Sequence, residues 1–574
     1  MKKRINVLTP DEKLIRHIQR KAGCHLVTAT VLANRGITDE AAIREFFHPA
    51  FHSIHNGFSM TDMTPAVHRI AKALLNNEKI LIFGDYDVDG ITSTTLLHEF
   101  LTVAGADVSY YIPHRVEEGY GLKPNHIETV AKKNLIDLII TVDCGSGSDQ
   151  AIVAANRLGI DVIITDHHTI SDPPPPAVAV INPQRCDCTA GADCLAGVGV
   201  AFLLLVCLRK HLRDINFWVT REEPNLKALC DLVALGTIAD IVPLVNENRV
   251  LTRIGLEVIN TSPRPGILAL IEISGISKHF ISAEDIAFRL APRLNAAGRM
   301  DHAKLAVELL QATELETAKK IAEMINQMNT HRQTIENQVF KRICMHIQDR
   351  PEILSKKSLV LASNDWHEGI LGIVASRLTR IYWRPVALLA IKDGVGKGSA
   401  RSVPTINLYE AISKCENILD NFGGHPMAAG FSLRSEDVDA FRNAFDAAVS
   451  AMATDEAFEP VLDIDYALNL DLISEQLIDE LESLQPFGPK NEEPLFWTQA
   501  VDVVYARPVG QGHKRLVLRQ QDSKTRKTID GIWFNVPDEH KDAKRLDQMV
   551  FRLRWNYWNG DRRLQIIIEE AMPG

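Results

Sequence analysis

Three apolar runs between residues 80 and 168 each break off into acid or imidazole. ILIF (80–83) runs into GDYDVDG, LIITV (138–142) into DCG, and VIIT (162–165) into DHH. A short run of branched and aromatic residues with no polar alternation reads as a strand buried on both faces. Amphipathic helical patterns separate the runs: AVHRIAKALLNN before the first, TSTTLLHEFLTVAG after it, QAIVAANRLG before the third. Strands alternating with helices imply βαβ units and a mainly parallel sheet covered on both sides. In such a sheet the carboxyl ends of the strands lie along one edge, where open α/β proteins bind their ligands. The acids and histidines that follow the runs are therefore expected to converge.

The first run carries Asp85, Asp87 and Asp89 at every second position, and crowded negative charge calls for a cation. An acidic solvated loop is the alternative for one such segment taken alone. Asp143 after LIITV, His167 and His168 after VIITD, and Asp240 after VALGTIA repeat the residue types at independent places. Several Asp with one or two His suit Mn²⁺ or Mg²⁺, whereas a structural zinc site would call for thiolates. Two such ions about 4 Å apart can activate a water and neutralise a phosphoryl oxygen.

A chain of 574 residues exceeds one core. The expected division is a small helical N-terminal segment (1–64), the α/β domain (65–245), a helical region ending in a long connector helix (246–350), a second α/β domain (351–454) and a small barrel (455–574). The barrel is read from apolar–polar alternation in VDVVYARPV, RLVLRQQ, QMVFRLRWNYW and RLQIIIE. The net charge of −10 means that a polyanionic partner must be met by a local basic surface. Residues 501–574 hold 14 Lys and Arg against 10 Asp and Glu, with Trp533, Phe534, Trp555, Tyr557 and Trp558 among the arginines. Aromatic faces beside cations suit single-stranded nucleic acid, although alternation must bury about half of these rings. The longest apolar run, Val198–Leu208, is too short to cross a bilayer, and MKKRINVLTPDEKL has no apolar core of a secretory signal. Nine scattered cysteines without such a signal point to a reducing cytoplasm. Cys186, Cys188 and Cys194 lack a fourth ligand for zinc.

DYDVDG (85–90), VDCG (142–145), DHH (166–168) and ALGTIAD (234–240) resemble the successive motifs of the DHH phosphoesterase superfamily. GSARS (398–402) and GGHPMAAG (423–430) resemble those of its companion DHHA1 domain. With APRLNAAGRM (291–300), WHEGILGIVASRL (366–378) and a terminal barrel, the order is similar to the RecJ family of bacterial exonucleases. The resemblance implies two α/β lobes with parallel-sheet cores joined by a long helix, and a C-terminal OB-like barrel. It implies that Asp87, Asp89, Asp143, His167 and Asp240 hold two Mn²⁺ or Mg²⁺ ions, with Asp143 bridging. Asp85, Asp166 and His168 then orient ligands or touch the scissile phosphate, with direct ligation by Asp85 left open.

The implied reaction is 5′→3′ hydrolysis of single-stranded DNA in recombination and repair. Ser399, Arg401, Ser402, Gly423, Gly424 and His425 are expected to close over the strand, because glycines admit phosphate to backbone N–H groups and Arg binds it bidentately. Arg115, Arg293, Asn295 and Arg299 are candidates for the 5′-phosphate and the backbone, and His367 for the cleft or an N-cap. A monomer, a single-strand-binding protein and a RecQ-type helicase are further family-level expectations, and a membrane is not. Two other readings compete: a small-substrate phosphodiesterase, disfavoured by the barrel, and a DNA-binding scaffold, disfavoured by the intact ligand set.

Overall fold

A computed structural model describes residues 3–573 apart from 52–53, 277–279, 511, 524 and 559–560. The first lobe is built on a five-stranded, all-parallel sheet. Its spatial order is Asp107–Tyr111, Lys79–Gly84, Leu138–Val142, Asp161–Thr165 and Ala179–Ile181. In chain order this is 2-1-3-4-5, so the order reverses beside the first strand, at the point where doubly wound sheets open a crevice. The strand sequence explains its burial. Ile80 and Ile82 enter one core while Leu81 and Phe83 enter another on the opposite face. Helix Val88–Val103 follows directly, almost wholly buried, its Thr92 and Thr95 hydroxyls satisfied by the Val88 and Ile91 carbonyls.

The helical region ends in Leu315–Asp349, a 35-residue helix about 52 Å long. Its buried stripe changes character along its length. Ala318, Ala322 and Ile325 join the first lobe's core, and Val339, Ile343 and Ile347 join the second lobe's. Asn329, Arg332 and Glu336, buried and polar, occupy the middle, between the lobes. The second lobe has a five-stranded sheet in which parallel pairing is confined to Leu359–Ser363 with Val386–Lys392. Strands Val395–Arg401, Ala428–Arg434 and Asn421–His425 extend it in antiparallel sense.

Five strands close the C-terminal barrel: Phe496–Val509, His513–Gln520, Ile529–Trp533, Asp561–Pro573 and Arg545–Trp558, the last returning to the first. The N-terminal segment is not the purely helical preamble that its periodicity suggests. Arg4–Val7 is a strand paired in parallel with Val461–Ile464. The helices that follow share one core with the barrel, Ile18, Val27 and Leu32 packing with Leu477, Phe496 and Phe551. Pairing between segments so far apart in the chain leaves no periodic trace in the sequence.

A buried guanidinium fixes this assembly to the first lobe. Arg249 lies 3.7 Å from the centre of the Phe46 ring and donates to the carbonyls of Phe46, Leu484, Gln485 and Pro486. Burial, with Arg253 and Arg35 nearby, lowers its pKa to about 9. Truncation would leave four carbonyls without this donor. Arg249→Ala is expected to destabilise the protein by about 2–4 kcal/mol, seen as a lower thermal midpoint. An unchanged midpoint would show that the junction is held elsewhere.

Candidate metal centre and cleft

At the reversal point of the parallel sheet the strand ends deliver their acids. Asp87 begins helix Val88–Val103 and caps it, its Oδ1 accepting from the N–H groups of Asp89 (3.0 Å) and Gly90 (3.1 Å). Asp89, in the first turn, is gripped from a second element: its carboxylate accepts from Gly197 N–H (2.6 Å) and Val198 N–H (2.8 Å), at the start of helix Gly197–Asp214. That helix end favours negative charge. Its approach is close: a Cβ on Gly197 would lie 2.8 Å from Asp143 Oδ1, and one on Gly236 3.0 Å from Asp89 Oδ1. Asp143 leaves its strand with φ 58°, a left-handed conformation that Asp tolerates better than most residues.

The side chains converge in two groups. Asp89, His167 and Asp240 each offer one donor atom, and these lie within 4.8 Å of one another; Asp85, Asp87 and Asp143 do the same. A third such set, Asp143 with His167 and His168, overlaps both. Nε2 of His167 lies 3.1 Å from Asp143, 3.6 Å from Asp240 and 3.7 Å from Asp89, yet it has no hydrogen-bond partner among the described residues. Asp85 Oδ1 and Asp143 Oδ1 are buried and unpartnered in the same sense. Donors that aim at shared space without bonding one another are what a cation site requires. Hard carboxylate oxygens with one imidazole fit Mn²⁺ or Mg²⁺. Asp85, the residue left open by the sequence, sits with Asp87 and Asp143 rather than apart from them.

The electrostatics agree with the geometry. Burial, then repulsion from the neighbouring carboxylates, raises the pKa of Asp85, Asp143 and Asp240 well above the usual range and that of Asp89 to about 7. Burial, then the neighbouring His168, lowers His167 to about 4, so its ring is held neutral, the form that binds metals. Asp166 behaves differently. Burial opposes its ionisation, but bonds from the His168 ring (2.8 Å) and from the Ser146, His167 and His168 N–H groups hold its pKa below the usual value. It is a positioning residue that fixes His168, which lies 3.1 Å from the Tyr120 hydroxyl. Burial opposes protonation of His168, but the bond to Asp166 together with the charges of Asp166, Asp240 and Asp87 raises it to about 9.

Across the cleft arginines gather, and among the described residues Arg115, Arg299 and Arg401 form no ion pair with a carboxylate. Burial and then the proximity of Arg115, Arg401 and Arg332 lower the pKa of Arg299, whose Nη1 donates only to the Gly369 carbonyl (2.9 Å) among the described residues. Arg115 stacks on Tyr86, 4.5 Å from its ring centre, and burial followed by Arg115 lowers Arg401 to about 10. Ser399 and Arg401, two apart on one strand, share a face and a 3.2 Å hydrogen bond. His425 stacks on His168 at 5.6 Å, bringing the end of strand Asn421–His425 of the second lobe against the first. Arg293 reaches the connector helix at Asn326 (2.9 Å), and Asn295 is half-buried on Arg293's own helix, Ala291–Met300. His367 acts as an N-cap, its Nδ1 accepting from Gly369 N–H (3.1 Å), and it also lines a cavity of about 530 Å³ with Met300, Gln327 and His331.

Ser402 does not reach the cleft. It is buried, and its hydroxyl donates to the Ile406 carbonyl at 2.8 Å. Tyr120 and Arg332 join the site without having been expected there. Arg332 carried a signal, a charge on the buried stripe of an amphipathic helix; Tyr120, in a Gly-flanked loop, carried none. In the barrel Trp533 and Trp555 are buried, while Phe534 and Tyr557 are exposed; the side chain of Trp558 lies outside the described residues. Arg552 and Arg554 pair with Glu493, and Arg562 with Asp479.

Known proteins carry the same parts. The DHH family N-terminal domain matches residues 79–237, the DHHA1 domain 355–451 and the RecJ OB domain 464–570. The single-stranded-DNA-specific exonuclease RecJ of Bacillus subtilis is 34% identical over 99% of this chain and 71% of its own. RecJ of Dickeya dadantii is 37% identical over 89% of this chain and 90% of its own. The crystal structure of Thermus thermophilus RecJ in complex with Mn²⁺ superposes with a TM-score of 0.83 at 30% identity, covering 100% of this chain and 80% of that one. Its complex with Mg²⁺ gives 0.76 at 27% identity, covering 100% and 78%.

The raised carboxylates make stability depend on pH in a defined sense. A group such as Asp89, with a folded pKa near 7 against an ordinary 3.8, binds protons more tightly in the folded state. Its stability is intact below the ordinary value and is lost as pH rises through the folded one. His167, lowered to about 4, works the other way below pH 6.5, but four carboxylates outweigh it. In chelator the thermal midpoint is therefore expected to rise as pH falls from about 8 to about 6. Mn²⁺ should raise it more at pH 8 than at pH 6; a midpoint in chelator that climbs with pH would contradict the repulsion.

Proposed function

This chain belongs to the RecJ family of single-stranded-DNA-specific exonucleases, and from that footing we propose how its own residues carry out the reaction. It is a metal-dependent hydrolase of phosphodiester bonds in single-stranded DNA, acting in DNA repair and recombination. The observation that carries the reading is the double convergence of Asp89, His167, Asp240 and of Asp85, Asp87, Asp143 at the sheet's reversal point. These residues would hold two divalent ions, Mn²⁺ or Mg²⁺. When bound, such ions make a water more acidic and offset charge on a phosphoryl oxygen.

The remaining residues position the substrate. Asp166 fixes the Nδ1 side of His168, which leaves Nε2 as the atom able to donate to a phosphate oxygen. Arg115, Arg299 and Arg401, whose guanidiniums crowd one another, form a place where a doubly charged terminal phosphate relieves repulsion. A terminal 5′-phosphate held there while the next bond lies over the acids makes the enzyme work in the 5′→3′ direction, one end at a time. The glycine strand at Gly423 and Gly424, with Ser399 and His425, closes the cleft over one strand. A reducing cytoplasm suits the nine free cysteines. A single-strand-binding protein and a RecQ-type helicase, which would expose such a substrate, are the proposed partners of a monomeric enzyme.

End-labelled oligonucleotides test the reading. With Mn²⁺, a 5′-labelled single strand should release labelled mononucleotide from the start, while a 3′-labelled one shortens progressively. Asp143→Ala should lower the rate by about a thousandfold or more with DNA binding retained. Full cleavage by Asp143→Ala, or intact DNA with the unaltered protein, would overturn the assignment.

A further inference from the structure

Residues 112–123 connect the edge strand Asp107–Tyr111 of the first sheet to helix Pro124–His126. This loop reaches past the ends of the next three strands in spatial order and meets the metal centre twice. On one side the Arg115 guanidinium lies 4.5 Å from the centre of the Tyr86 ring, and Tyr86 stands between Asp85 and Asp87. On the other side the Tyr120 hydroxyl lies 3.1 Å from the Asp143 carbonyl and 3.1 Å from His168 Nδ1. Between these contacts Glu118 anchors the loop to its own lobe. Its carboxylate accepts from the Tyr111 hydroxyl at 2.8 Å, from His114 N–H at 2.5 Å and from the buried His126 ring at 3.2 Å.

Elimination assigns the bonds of Tyr120. A carbonyl only accepts, so the Tyr120 O–H donates to Asp143 and its oxygen is left to accept from His168 Nδ1–H. The same Nδ1 faces the Asp166 carboxylate at 2.8 Å, which also places the proton on that nitrogen. The carbonyl that Tyr120 holds belongs to a residue at φ 58°. A backbone in this sparsely populated region keeps its course only where neighbours fix it. Tyr120 is presented there by a turn with glycine on either side, Gly119 at φ 75° and Gly121 at φ 80°.

We propose that this loop couples recognition of the terminal phosphate to the setting of the metal centre, with Tyr120 as the positioning residue. Phosphate at Arg115 orders the loop from one end, and Tyr120 carries that order to the Asp143 main chain and the His168 ring. The inference rests on the reading of Arg115 as a phosphate contact and adds a route by which the 5′ end acts on turnover. A 5′-phosphate then raises kcat as well as tightening binding, because it acts on residues that face the reacting phosphate.

Steady-state hydrolysis with Mn²⁺ of single strands bearing either a 5′-phosphate or a 5′-hydroxyl tests the coupling. The unaltered protein should favour the phosphorylated strand in both kcat and KM. In Tyr120→Phe, kcat on that strand should fall about tenfold, to the value for the 5′-hydroxyl strand, while the KM ratio between the two strands stays the same. The ring is 45% exposed, so loss of the hydroxyl leaves no buried gap. Gly119→Ala, which strains the turn and keeps the hydroxyl, should have the same effect. Adding Tyr120→Phe to Arg115→Ala should lower kcat no further than Arg115→Ala alone. A preference confined to KM in the unaltered protein, a kcat advantage that survives in Tyr120→Phe, or multiplying losses in the double variant would overturn the coupling and leave the phosphate contact standing. An unaltered protein that distinguishes the two ends in neither constant would sink the reading of Arg115, and the coupling with it.

Discussion

Repulsion among buried carboxylates is the constraint on which the rest of this structure depends. Asp85, Asp89, Asp143 and Asp240 are held out of water, and burial, then repulsion from neighbouring carboxylates, Asp87 among them in every case, raises their pKa values. A protein keeps such an arrangement only when surrounding elements over-determine it. Here the sheet fixes Asp143, a helix N-terminus grips Asp89, and Asp166, held by several hydrogen bonds, steadies the His167–His168 turn. Small residues at Gly197 and Gly236 permit the approach. Much of the first lobe can be understood as a frame that holds like charges at a distance set for cations.

The cleft repeats the problem with the opposite sign. Burial, then the mutual proximity of Arg115, Arg299, Arg332 and Arg401, lowers proton affinity at Arg299 and Arg401, so the cleft wall concentrates positive charge opposite the acids. A phosphate chain with divalent ions satisfies both sides at once, which makes substrate and metal binding mutually supportive. The connector helix keeps the two surfaces in register by burying its ends in different lobes and leaving its polar middle between them. The barrel is tied in by carbonyl bonds from Arg249 and by the Glu284–Arg554 pair, so its position relative to the acids is fixed.

The centre was legible in the sequence because each ligand follows a buried strand or helix and parallel strands end on one edge. Local pattern and topology pointed the same way at Asp89, Asp143 and His167. What escaped depended on orientation or on distant partners. Ser402 belongs to the same motif as Ser399 and Arg401 but stands one residue on, where the chain leaves the strand and turns its hydroxyl inward. Asp85 could not be distinguished from Asp87 by spacing, and only the fold seats it beside Asp143. The Arg4–Val7 strand finds its partner near residue 461, and the N-terminal helices find theirs in the barrel, pairings that no local period encodes.

Anomalous diffraction at the manganese edge, from crystals grown with Mn²⁺, tests the central claim directly. Two peaks are expected in the first lobe, one amid Asp89, His167 and Asp240 and one amid Asp85, Asp87 and Asp143. A single peak, or manganese bound away from these residues, would contradict it.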